Sequence, residues 1–288
     1  MPAAPTAGLR TETVTSRENR WLRQFRAALR RGPIAEGLVG VEGAHLVAEA
    51  LHAGLEVAAV LASPAGEHDL SALVPLLPAH TRLLRTSERL FASVSDTQTP
   101  QGVAALVRPR RASFDDLVRG LPLVVVLVGL QDPGNVGTTV RSAEAFGATG
   151  VATCASQRMG TANPFAPKAL RASAGSVLRL PVLAGMSLPV LLAQLRATGV
   201  KLCAASARAG ESPALVDLRG PLALLVGNEG AGLPPAVEGS AELLLRIPLA
   251  GQAGPVESLN AAVAASVLLY EIARQRQGEP AGQAEATR

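Results

Sequence analysis

The sequence predicts an α/β protein, with a parallel sheet in its C-terminal half and a smaller α/β unit before it. Three observations carry this expectation. Apolar runs of strand length, of which Leu121 to Leu130 is the most continuous, recur through the second half and alternate with segments of helical period. Three stretches there set polar residues, glycine, proline or asparagine at the ends of such runs: Val128 to Val151 (VGLQDPGNVGTTVRSAEAFGATGV), Leu224 to Pro234 (LLVGNEGAGLP) and Arg246 to Gln275 (RIPLAGQAGPVESLNAAVAASVLLYEIARQ). Open α/β sheets bind ligands at the carboxyl ends of their strands, so the chemistry is expected at these breaks. Finally, composition shifts around residues 109–120 to proline, arginine and Asp115-Asp116, which reads as a linker between domains at 1–108 and 121–276.

Taken in order, the chain opens on a basic segment. Arg10, Arg17, Arg20, Arg23, Arg26, Arg30 and Arg31 face only Glu12 and Glu18, whereas the whole chain carries a net charge of +4. The spacing of Trp21, Phe25 and Ala28 or Leu29 predicts a helix from Arg17 to Arg31. A compact alternation follows. Strands are expected at Leu38 to Val41, Val57 to Ala62, near Leu83 and at Gly102 to Val107, with helices at Gly43 to Ala53, Leu70 to Leu77 and Glu88 to Val94. Beyond the linker, Leu121 to Leu130 reads as a strand covered on both faces. Further strands are expected at Gly150 to Cys154, Val177 to Leu180, Val200 to Ala204, Leu222 to Val226 and Leu243 to Ile247. Helices fall between them at Val136 to Phe146, Pro167 to Ala174, Leu188 to Ala197 and Leu259 to Gln275, the pattern of a parallel sheet with helices on both faces. The tail, 277–288, is polar and rich in glycine and glutamine, and is expected to be disordered.

Composition narrows the function classes. A chain of 288 residues, 48% apolar, can bury a sizeable core without staples. Its longest apolar runs are about half of what a bilayer crossing needs, and the N-terminus has no signal-like apolar segment, so a soluble cytoplasmic protein is expected. Cys154 and Cys203 are far apart in apolar surroundings and read as buried thiols. All four histidines precede residue 81, which removes a histidine triad, ligand or general base from the second half. Arginine far outnumbers lysine, present only as Lys168 and Lys201. That suits phosphate contacts, although a solvated basic helix face explains the charge equally well. One Trp, one Tyr and five Phe offer no stacking platform, so phosphate and shape are expected to dominate any nucleic-acid contact.

In the first stretch, Asp132-Pro133-Gly134 signals a turn, and Asn135 is placed to cap a helix that buries Val136, Val140, Ala143 and Gly147. Thr138, Arg141 and Ser142 share its other side. A capped helix with a solvent-facing arginine is the plain structural alternative. Asn135 stands where a Walker loop needs lysine, and no GxGxxG occurs. In the second stretch, Val226 ends a strand and Gly227, Gly230 and Gly232 surround Glu229, allowing close approach of backbone to a ligand. In the third, Ile247-Pro248 closes a strand, a loop with Gly251 and Gly254 follows, and Glu257-Ser258-Leu259-Asn260 enters a helix. That helix is apolar on several faces, at Val263, Val267, Leu268 and Ile272, which points to a subunit interface.

Together these stretches resemble the SpoU or TrmH family of RNA ribose 2′-O-methyltransferases, in the SPOUT superfamily. Asn135, Gly137 and Arg141 match its first motif, Gly227 to Gly232 with Glu229 its second, and Ile247, Pro248, Gly251 and Glu257 to Asn260 its third. The N-terminal part, with Val41 to Leu51 and Thr99 to Val107, is similar to the L30e-like RNA-binding domain attached to many members that act on ribosomal RNA. The resemblance implies a trefoil-knotted methyltransferase domain, a homodimer formed through it, and S-adenosylmethionine held by Val226, Gly227, Gly232, Ile247, Leu249, Ser258 and Leu259. It implies no metal, because the sulfonium supplies the electrophile. Arg141 is the implied central catalytic residue, with Asn135, Glu229, Ser258 and Asn260 arranging it and the substrate. Guanidinium groups keep their protons in proteins, so Arg141 is expected to clamp phosphate and ribose while the proton leaves through phosphate, water or Glu229. RNA contacts are expected at Arg17, Arg20, Arg23, Arg30, Arg141 and Arg171, with 23S rRNA the expected target. A transfer-RNA target, a base-methylating SPOUT enzyme and a non-catalytic RNA-binding module are the alternatives. Leu249 stands where the family has methionine, and the loop from Ala250 to Val256 is longer than the family pattern.

Overall fold

The computed structural model describes residues 9–156, 159–250 and 258–278. The loop 251–257, with Gly251, Gly254 and Glu257, and the tail beyond 278 lie outside them. Contacts divide the chain into two units, Met1–Arg110 with Phe165–Arg179, and Arg111–Pro164 with Leu180–Arg288.

Unit 1 opens with strand β1 (Arg10–Thr13) and helix α1 (Arg20–Arg31), followed by β2 (Val39–Glu42), α2 (Ala44–His52), β3 (Glu56–Ala62), α3 (Glu67–Leu73), β4 (Arg82–Arg85), α4 (Glu88–Val94) and β5 (Val103–Arg108). Its sheet runs β1-β4-β3-β5-β2, parallel across the first three strands and antiparallel at β5. Asn19 caps α1 by accepting the Trp21 amide at 2.8 Å. The helix lays Leu22, Phe25, Ala28 and Leu29 on a core that includes Leu61, Leu84, Phe91 and Leu106. Strand β1 escapes a sequence reading because all four of its residues are exposed, leaving no alternation to detect.

Unit 2 contains α5 (Phe114–Leu117), β6 (Leu123–Val128), α6 (Pro133–Ala145) and β7 (Gly150–Cys154). The segment α7 (Pro167–Ala172) and α8 (Ser176–Arg179) then belongs to unit 1, and unit 2 resumes with β8 (Val182–Met186), α9 (Leu188–Ala197), β9 (Lys201–Ala205), β10 (Leu222–Val226), α10 (Pro235–Glu238), β11 (Leu243–Leu245) and α11 (Ala261–Arg276). Its six strands run β11-β9-β10-β6-β7-β8, with every pairing parallel. All six residues of β6 are buried, as a strand covered on both faces requires. Within the expected linker, Ser113 and Asp116 form a reciprocal capping box that starts α5, and Leu117 is buried in the unit 2 core.

Three expectations are corrected. Of the run Val177 to Leu180, expected as a strand, Val177 to Arg179 lie in helix α8 and Leu180 just past its end, and the strand is β8, beyond Pro181. Three apolar residues and Arg179 over four positions satisfy either period, so the run could not discriminate. The cap of α6 is Asp132, which accepts the Gly134 amide at 2.8 Å, so Asn135 sits inside the first turn with its side chain free for another partner. Gly147 is exposed beyond the end of α6, and Gly137 and Thr139 join Val136, Val140 and Ala143 on the buried face.

Candidate functional site

Because every strand of the second sheet is parallel, the carboxyl ends of β11, β9, β10 and β6 share one edge, and β9 lies between β11 and β10. A cavity of about 240 Å³ opens there. The turn after β10, from Val226 to Leu233, forms one wall; Leu245, Ile247 and Leu249 form another, and Ser258, Leu259, Ala264 and Leu268 a third. All seven residues expected to hold a cofactor line it. Ala205, the last residue of β9, and Ser206 to Arg208 beyond it also line the cavity. They were missed because strand order, which puts β9 between the two motif-bearing strands, is not written in local sequence.

The β10 turn is bound tightly to itself. Asn228 and Gly232 exchange backbone hydrogen bonds at 3.1 and 2.9 Å, and Asn228 Oδ1 accepts the amides of Gly230 and Ala231 at 3.0 Å each. A Cβ on Gly227 would stand 2.3 Å from the backbone of Gly232 and Leu233, so only glycine permits this closure. Asn228 also donates to the Gly129 carbonyl at 2.8 Å, tying the turn to the end of β6.

Glu229 joins the first stretch to the second. Its carboxylate accepts the amides of Gln131 and Asp132 at 3.2 Å each and Asn135 Nδ2 at 3.0 Å. Asn260, the cap of α11, donates Nδ2 to Asn135 Oδ1 at 3.1 Å while its own Oδ1 accepts the Ala262 and Val263 amides. A polar relay, Asn260 to Asn135 to Glu229, therefore fastens all three stretches together. Burial, the largest single influence on Glu229, opposes its ionisation, but the bonds from Asn135 and from backbone amides, those of Gln131 and Asp132 among them, outweigh it and hold the carboxyl below its ordinary range. A carboxylate so satisfied is a fixed acceptor and a poor proton sink.

Arg141 is exposed on α6 and is not among the residues lining the cavity of its own chain. Beside it, Ser142 bonds Ser266 of α11 at 2.7 Å, and Phe146 meets Tyr270 edge-on with ring centroids 5.9 Å apart. Along α11, Val263, Val267 and Tyr270 form an exposed stripe at 49%, 39% and 56% accessibility, whereas Leu268 and Ile272 are buried.

Of the expected RNA contacts in unit 1, Arg17 and Arg23 are exposed, and Arg20 lies over the Trp21 ring at 5.1 Å. Arg30 holds the Ser95 carbonyl at 3.0 and 3.2 Å, and Arg171 pairs with Asp96 at 3.4 Å. These two guanidiniums are engaged in anchoring the loop after α4. Both cysteines are buried and free; burial pushes Cys154 up to about 12 and Cys203 up to about 11. Among the described residues no helix is long and apolar enough to cross a membrane, and no cluster of three or more metal-ligating side chains occurs.

This arrangement, three loops at one sheet edge joined by the relay, coincides with a family model described as the SpoU rRNA methylase family, which matches residues 122–270. The chain belongs to that family. A second model, the MRM3-like substrate binding domain, matches residues 26–105. SpoU relatives include the 23S rRNA (guanosine(2553)-2'-O)-methyltransferase RlmP of Bacillus subtilis, 35% identical over 81% of this chain and 87% of that protein. The 23S rRNA (guanosine-2'-O-)-methyltransferase RlmB of Xanthomonas campestris is 38% identical over 67% of this chain and 78% of its own. The crystal structure of the SpoU methyltransferase AviRb from Streptomyces viridochromogenes, in complex with AdoMet, superposes with a TM-score of 0.78 and 29% identity, covering 91% of this chain and 99% of that one.

Proposed function

We propose that this SpoU protein is an S-adenosylmethionine-dependent ribose 2′-O-methyltransferase of ribosomal RNA, with 23S rRNA its substrate. The relay from Asn260 through Asn135 to Glu229 carries the reading, because it joins the glycine turn, the helix bearing Arg141 and the start of α11 at the rim of one cavity. The cavity fits the cofactor: leucine walls at 233, 245, 249, 259 and 268 suit a purine, and backbone groups of the turn and of Ile247 to Leu249 suit its polar edge. When bound there, S-adenosylmethionine supplies a methyl group activated by a sulfonium.

What remains for the protein is placement of a ribose hydroxyl in line with that methyl. Arg141 is the clamp for the target phosphate and ribose, since a guanidinium offers a planar pair of donors and no basic site. Glu229 and Asn135 are positioning residues, and Ser258 and Asn260 present the start of α11. Arg141 is exposed and does not line the cavity of its own chain, and the exposed stripe on α11 lies on the helix packed against α6. Two copies therefore pair through this face, and each supplies Arg141 to the cavity of the other. The trefoil knot and the cytoplasmic setting belong to the same reading. So does a division of labour in which residues 1–108 bind RNA, 109–120 link and 121–276 transfer the methyl group.

The deciding experiment is nucleoside analysis of 23S rRNA and of transfer RNA after incubation with the protein and S-adenosylmethionine. A 2′-O-methylnucleoside, seen as an alkali-resistant dinucleotide in the 23S rRNA, is expected. Methylation only in transfer RNA would move the target, methylation of a base would overturn the ribose assignment, and none in either RNA would overturn the enzyme.

A further inference from the structure

We propose that Trp21, with the guanidinium groups of Arg20 and Arg82, forms a stacking site for one unpaired nucleobase of the RNA. This rests on the RNA reading above and adds to it a contact that phosphate binding does not require. Trp21 is the one tryptophan of the chain, and it lies upstream of residues 26–105, where the substrate-binding family model matches. It sits at the margin of the α1 face, half-buried, packed against the unit 1 core but not enclosed by it. Two cations converge on its ring. The Arg20 guanidinium carbon is 5.1 Å from the centroid, and that of Arg82, reaching from β4, is 5.7 Å away. Arg82 also stands beside Arg10 across the parallel β1–β4 register.

Like charges gathered on one aromatic ring repel each other, and the ring's quadrupole offsets only part of that. Charge of the opposite sign therefore has a ready place there. The helix start and the strand edge carry Arg10, Arg17, Arg20, Arg23 and Arg82 against Glu12 and Glu18. A nucleotide satisfies both demands, since its base offers a π-face to the indole and guanidinium planes and its phosphate takes up the charge. Duplex RNA has its base faces already stacked, and an acidic peptide lacks the flat face, so a single-stranded or looped segment is the partner.

Because Trp21 is the sole tryptophan, its emission reports on this site in the full-length protein. Titration with a single-stranded oligoribonucleotide is expected to quench it saturably, while the matching duplex, polyphosphate and poly-glutamate leave it nearly unchanged. Trp21→Ala is expected to weaken single-strand binding by about ten- to a hundredfold, Trp21→Phe by only a few-fold. For rRNA methylation, Trp21→Ala should raise KM for RNA and leave kcat and cofactor affinity unaltered. Unchanged emission when anisotropy of the labelled oligonucleotide reports binding overturns the proposal. Equal quenching by polyphosphate or poly-glutamate, or no oligonucleotide binding, does so too. Methylation that proceeds normally alongside any of these results leaves the enzyme reading standing, so the two failures are separable.

Discussion

Asn135 has neither charge nor reactivity, yet it accepts from Asn260 and donates to Glu229 at 3.1 and 3.0 Å. Removing it leaves a carboxylate short of one donor and breaks the bond from the start of α11 to α6, while Ser142–Ser266 and Phe146–Tyr270 still join the two helices. A hydrogen bond to a charged group is worth about 1.5–3 kcal/mol, so Asn135→Ala is expected to lower kcat by about tenfold or more in a single-turnover methylation assay. Glu229 makes a companion statement about pH. Its pKa is depressed in the folded protein, so its contribution to stability is complete above the unfolded carboxylate value of about 4.3 and is lost as pH falls through the lower folded value. Across the neutral range Glu229 stays ionised, and the pH–rate profile is expected to carry no limb from it. A neutral limb that disappears in Glu229→Gln would instead make it the base. Asn135 was visible in the sequence as a motif residue, but its job was not, because Asp132 and Asn135 satisfy the same capping preference and only the folded turn distinguishes them.

Elements were legible wherever period and length agreed. Helices α4 and α9 and strands β7 and β10 fall on the residues that their patterns mark. The failures share one cause, too little sequence to define a period. Four residues at 177–180 fit helix and strand alike, and the four exposed residues of β1 show no apolar face at all. Cys154 and Cys203, placed on β7 and β9, give this scale its prediction. Their thiols are held neutral by burial, with pKa values raised to about 12 and 11, so iodoacetamide is expected to modify neither in the folded protein and both after unfolding, read by mass spectrometry. The linkage has a definite sign. Stability from these thiols is complete below the unfolded thiol value of about 8.5 and is lost as pH rises from there towards about 11 and 12. Urea midpoints should therefore fall in the alkaline range, less so in a Cys154→Ala, Cys203→Ala double variant.

For the molecule as a whole, what the sequence could not supply was adjacency. Motif residues announced a site, but the parallel order β11-β9-β10-β6 decides which loops meet, and it brings in Ala205 to Arg208, which no pattern marked. The same scale decides how Arg141 reaches the chemistry. Arg141→Ala and Leu249→Trp, which fills the cavity mouth, are each expected to be inactive alone. Mixed and allowed to re-pair, they should regain about a quarter of normal activity, since half of the dimers are hybrid and each hybrid holds one intact site of two. A mixture as inactive as its components would put Arg141 and the cavity it serves in one chain. The relay adds a thermodynamic corollary. Asn260 begins α11, whose outer stripe is the proposed pairing face, and its amide is fixed to the turn that walls the cavity through Asn135 and Glu229. In the proposed dimer, ordering the cavity and joining the subunits are coupled equilibria, and reciprocity requires that donor binding tighten subunit association by the same factor that association tightens donor binding. Sedimentation across a dilution series should find the dimer persisting to lower concentration when S-adenosylmethionine is present, and Asn135→Ala should erase that difference.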